Sequence, residues 1–126
     1  MIIARMDGEN INNGGDYFDF VTNKHGYSIV LGTLFFKHSM GSNATSIVDF
    51  SISRYGVSTS VSLGGLGSGI SFSAYQDPSD ANTNTLRVTN NGIYNCAMSV
   101  SAIINADNGE SQVEFPSANF QPVMVV

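Results

Sequence analysis

Tryptophan is absent from the 126-residue chain, and basic residues are scarce, five Lys and Arg against ten Asp and Glu. That count argues against nucleic acid as a partner. Phosphate contacts need clustered cations, and the net charge of −5 has the wrong sign. Anionic membrane surfaces are disfavoured for the same reason. Cys96 is the only cysteine, so no intrachain disulfide can form. It falls in an alternating run beside Met98 and reads as a small buried hydrophobe. No apolar stretch approaches the ~20 residues of a membrane helix. The first ten residues turn acidic too soon for a secretory leader. Charged residues make up only 12%, yet eight Phe and five Tyr supply core material, which sets the chain apart from disordered sequences. Helical spacing with caps is missing from every window long enough to hold a helix.

What is present is alternation with a period of two, the mark of strands with one buried face. Val48, Phe50 and Ile52 alternate with Asp49, Ser51 and Ser53. Val57, Thr59, Val61 and Leu63 alternate with serines, as do Ile70, Phe72 and Ala74 until Tyr75. Further runs are expected over Tyr17–Thr22, Tyr27–His38, Leu86–Thr89, Tyr94–Ile104, Gln112–Phe115 and Pro122–Val126. Tyr27–His38 is apolar on both faces, which suggests a central strand covered on each side, or one face meeting a partner subunit. Gly32 in its middle points to a bulge or a close backbone approach. Turns are expected at Asn23–Gly26, Tyr55–Gly56, the glycine-rich connector Gly64–Gly69 and Asn108–Gly109, and Asn91–Gly92 reads as a tight hairpin. Residues 1–16, rich in Asp, Asn and Gly, read as a linker or edge strand ahead of a single domain over residues 17–126. Eight or nine strands with frequent turns predict an all-β antiparallel sandwich or jelly roll without substantial helix.

Catalytic motifs are weak. His25 and His38 belong to no metal-ligand spacing. The serines sit in flat strands without a base or a nucleophile elbow. Asp49 interrupts a serine face but reads as an isolated surface carboxylate. Residues Gln76–Thr85 form the longest polar stretch and are expected to be a loop. In it, Asp80, Asn82 and Asn84 offer oxygens at every second position, but the glycine and closing glutamate of a calcium loop are missing. No metal or cofactor is expected. Tyr75, Asp77, Asp80, Asn82 and Asn84 instead match the needs of a glycan site, an aromatic platform beside neutral hydrogen-bonding groups.

Solvated sheet faces normally carry charge. Here Ser51, Ser53, Ser58, Ser60, Ser62, Ser71 and Ser73 take that place. Small hydroxyls let another surface approach closely, so these residues, with Phe35 and Phe36, are expected to form a homo-oligomer interface.

The stretches Leu86-Arg87-Val88-Thr89-Asn90-Asn91-Gly92 and Gly69-Ile70-Ser71-Phe72-Ser73-Ala74, with low charge, no Trp and one Cys, resemble the C-terminal modules of trimeric bacteriophage tailspikes and tail fibres. The resemblance is compositional and spans residues 17–126. It implies a jelly-roll or TNF-like sandwich that holds three chains together at the tip of a virion tail and sometimes touches host surface glycans. The catalytic part of a tailspike, when there is one, usually lies in a β-helix, whose repeats this chain lacks, so the resemblance implies no hydrolase activity. A purely structural trimer cap, or a C1q/TNF-like extracellular binding module, are the alternatives.

Overall fold

A computed structural model describes residues 2–21, 29–38, 45–53, 55–64, 69–77, 79–105 and 121–125. Among these residues nine strands occur: β1 (Ile2–Ile11), β2 (Asp16–Val21), β3 (Ile29–His38), β4 (Thr45–Ser53), β5 (Gly56–Leu63), β6 (Ile70–Asp77), β7 (Asp80–Asn90), β8 (Cys96–Asn105) and β9 (Gln121–Val125). They form two antiparallel sheets, one of six strands in the order β5-β4-β3-β8-β1-β9 and one of three in the order β2-β7-β6. The fold is all-β, as the alternation requires. Early strands nest against late ones, with β1 and β3 flanking β8 and β2 paired with β7. That nesting is shared with a jelly roll. The meander β3-β4-β5 within one sheet is not, because jelly-roll strands cross between sheets at that point.

Alternation selects the core. From the large sheet, Met6, Leu34, Phe36, Val48, Phe50, Ile52, Met98, Val100 and Ile104 point inward. They meet Phe18, Phe20, Ile70, Leu86 and Val88 of the small sheet. Aromatic contacts bridge the layers, with Phe20 to Phe50 at 5.5 Å and Phe36 to Phe72 at 6.1 Å between ring centroids. Each such side chain contributes on the order of 2 kcal/mol by leaving water. Gly32 faces this layer. A Cβ there would lie 2.6 Å from the Phe50 ring and 2.9 Å from the Ser101 carbonyl oxygen. The glycine therefore marks a close approach, as expected, and what approaches is an aromatic ring.

Three expectations need correction. Residues 2–11 are no linker or edge: β1 lies between β8 and β9, with Ala4, Met6 and Ile11 buried. A bulge after Met6, with Gly8 at φ +64° and its N–H donating to Ser99 Oγ at 3.0 Å, breaks the alternation and hides the strand from a periodicity reading. Gln76–Thr85 is no loop either. Asp77 pairs with Asp80, and β7 runs on through the Asn- and Thr-rich stretch. Asn91–Gly92 does not close a two-residue hairpin, because β7 and β8 belong to different sheets. It lies in the corner between them. Buried Asn90 pins that corner, donating from Nδ2 to the carbonyls of Ile11 (2.9 Å) and Tyr94 (2.8 Å) and accepting the Gly92 N–H at 3.0 Å. A Cβ on Gly69 would overlap the Gly92 backbone, so two glycines let the chain cross itself there. The expected turns at Asn23–Gly26 and Asn108–Gly109 and the strand at Gln112–Phe115 lie outside the described residues, as does most of the glycine-rich connector.

Candidate functional site

Two outer faces are left once the sheets have packed. On the six-stranded sheet, register stacks the outward side chains into rows. One row runs Ile3, Ile103, Leu31, Ser51, Ser58. The next runs Arg5, Ser101, Thr33, Asp49, Ser60. A third runs Ser99, Phe35, Ile47, Leu63. Apolar side chains thus flank a polar row of three hydroxyls with Arg5 and Asp49. Ile29, Leu31, Phe35, Leu63 and Ile103 are each between 42% and 62% exposed. Two of the charged groups on this face, Asp49 and Arg5, are engaged locally. Thr33 Oγ1 donates to Asp49 Oδ1 at 3.2 Å, and Arg5 pairs with Asp7 at 3.0 Å. A shallow depression of about 380 Å³ lies over Leu31, Thr33, Asp49, Ser101 and Ile103. On the edge strand β5, Val61 is exposed rather than buried, and only Val57 packs against the core.

The other face belongs to β2, β7 and β6. Its rows are Tyr17, Thr89, Ser71, then Asp19, Arg87, Ser73, then Thr85, Tyr75. Arg87, on the central strand, donates from Nε to Asp19 Oδ1 at 2.8 Å and from Nη2 to Asp19 Oδ2 at 2.9 Å, a two-pronged pair. Its guanidinium carbon lies 3.9 Å from the centroid of the Tyr17 ring and 4.8 Å from that of Tyr75. The cation is therefore held between two aromatic rings. Hydrogen bonding to Asp19, ahead of its charge, raises the Arg87 pKa above an already high ordinary value, so the guanidinium stays charged throughout. Both tyrosines remain about half exposed.

The expected interface residues are divided by this geometry. Phe35, Ser51, Ser53, Ser58 and Ser60 share the outer face of the large sheet. Ser62 sits at the β4–β5 bulge, where its hydroxyl donates to the Ile47 carbonyl at 3.3 Å. Ser71 and Ser73 lie on the opposite side of the sandwich. Phe36, at 2% exposure, is core and belongs to no surface. Of the expected glycan residues, Tyr75 is exposed on the small sheet. Asn84 is buried, and its Nδ2 donates to the Ser53 carbonyl at 2.6 Å, which ties β7 to β4. That amide serves the fold, and Asn84 is withdrawn as a ligand residue. The side chains of Asp77, Asp80 and Asn82 lie outside the described residues. Among the described residues no group of three or more His, Cys, Asp or Glu could hold a metal ion, and no helix is long and apolar enough to cross a membrane.

Tyr17, Asp19 and Arg87 escaped the sequence reading. Their only signal is their place in alternating runs, and nothing local says which positions of β2 and β7 stand side by side. Comparison of the chain with models of known families, with curated proteins and with solved structures gives no match.

Proposed function

We propose that the chain is a non-enzymatic assembly and recognition module. In this reading three copies associate through the outer face of the six-stranded sheet and together recognise saccharide on a host cell surface, at the tip of a bacteriophage tail. The observation that carries it is the character of that face: apolar rows of Ile3, Ile103 and Leu31, and of Phe35, Ile47 and Leu63, on either side of a polar row in which Ser101, Thr33 and Ser60 stand with Arg5 and Asp49. Ile29, Leu31, Phe35, Leu63 and Ile103 are exposed together on it, and grouped apolar exposure is a feature of interaction surfaces. A second copy suits it better than a strongly charged partner, because apolar side chains and small hydroxyls make up most of it. Three-fold association comes from the compositional resemblance to tail-fibre modules. It gives recognition its strength: sites of roughly millimolar affinity become firm attachment when several are carried on one particle.

Sedimentation equilibrium of the purified chain at micromolar concentration tests the reading. A trimer that Leu31→Glu or Ile103→Glu dissociates into folded monomers is the expected result. A monomer would overturn self-association, and a stable dimer would overturn its three-fold form.

A further inference from the structure

We infer that the outer face of the β2-β7-β6 sheet is the ligand platform, in which Tyr17, Arg87 and Tyr75 receive an uncharged saccharide. This deepens the proposed recognition role and rests on it for the ligand class. The constellation is built before any ligand arrives. Asp19 fixes the Arg87 guanidinium with two hydrogen bonds, and the guanidinium in turn fixes the two rings stacked on it. Little conformational freedom is left to lose on binding, which favours affinity. The neighbours on this face are Ser71, Ser73, Thr85 and Thr89, all short, so the rings and the guanidinium stand above their surroundings.

The chemistry of the platform selects its ligand. Half-exposed aromatic rings offer apolar area to the C–H face of a pyranose. The bonds to Asp19 use the Nε hydrogen and one on Nη2, which leaves the Nη1 hydrogens to donate to sugar hydroxyls. Asp19 carboxylate oxygens can accept from the same hydroxyls. Asp19 also neutralises Arg87, and the chain carries a net charge of −5, so an anion meets no uncompensated cation here. A neutral sugar fits where a sialylated or uronate-bearing one does not. A cluster serving only to join three strands would have the same internal contacts but would take no ligand, and this is the alternative the experiment must separate.

The test is saturation-transfer NMR on the intact chain with two panels, neutral hexose oligosaccharides and uronate- or sialic-acid-bearing ones, at roughly millimolar concentration. Transfer to a neutral oligosaccharide is expected, with chemical-shift changes at the Tyr17 and Tyr75 rings. Tyr17→Leu and Tyr75→Leu, which keep bulk over Arg87, should each weaken binding about tenfold without altering the sedimentation of the chain. The inference is overturned if no neutral saccharide binds to a chain that is folded and assembled, if only the anionic panel binds, or if binding survives both leucine variants. Saccharide binding by a monomeric chain would support the platform while refuting the assembly, so the two readings fail separately.

Discussion

Gly32 shows how one residue without a side chain organises the interior. Its vacant Cβ position is occupied by the Phe50 ring, which there also reaches Phe20 of the opposite sheet. Gly32→Ala is expected to destabilise the protein by about 1–3 kcal/mol through overpacking. Phe50→Leu in the same chain should remove most of that increment, a coupling that a double-mutant cycle in urea would measure. Gly32 was legible as a close approach because a glycine inside an apolar strand has few other reasons to be there, but its partner was not. Cys96 was legible as a buried hydrophobe, and burial pushes its thiol from the ordinary 9.0 up to about 11. The folded state thus holds a proton that the unfolded chain releases first. The associated stability is complete below pH 9 and is lost as pH rises toward 11, on the order of 2 kcal/mol. Thermal melts across that window should fall more steeply for the natural chain than for Cys96→Ala, and equal slopes would contradict the buried thiol. The tyrosines around Arg87 stayed hidden for a different reason. Each is ordinary in its own strand, and only the pairing of β2 and β6 with β7 makes them neighbours.

At the level of whole strands, legibility followed regularity. β4, whose burial alternates along its length, was read nearly residue for residue. β1 was lost to its bulge and acidic residues, and the start of β7 to Asn and Thr, which favour turns when met without context. β5 teaches a subtler lesson. Its alternation is as clear as that of β4, yet only Val57 packs against the core, and Val61 stays exposed. Periodicity says that a strand has two faces but not that each face is covered. The exposed strand carries Ser58, Thr59, Ser60 and Ser62 with no charged residue, unlike edges that natural proteins protect with Lys. Ser58 and Ser60 extend the rows of Leu31 and Thr33 on the proposed assembly face. Replacing both with Lys is expected to weaken self-association by at least about tenfold while leaving the monomer's melting temperature within a few degrees, since both side chains are exposed. Analytical ultracentrifugation paired with calorimetry would check this. Unchanged association would place the interface elsewhere.

For the molecule as a whole, composition and geometry point to the same division of labour. With 12% charged residues the chain has little means of repelling its own copies, and on the large sheet's outer face Asp49 and Arg5 are engaged in local contacts. Association through such a face is driven by apolar burial and hydroxyl contacts, so it should respond to concentration and hardly at all to ionic strength. Because assembly stabilises the folded chain by mass action, the melting temperature should climb as protein concentration is raised from about 1 µM to about 100 µM. At fixed concentration, raising salt from about 0.05 M to about 0.5 M should leave it unchanged or slightly higher, since the net charge of −5 is screened and no attractive ion pair is lost. Calorimetry over that grid separates the mechanisms. A melting temperature that falls with salt would mean that ion pairs hold the copies together, and one independent of concentration would mean that the apolar rows of the large sheet remain in water.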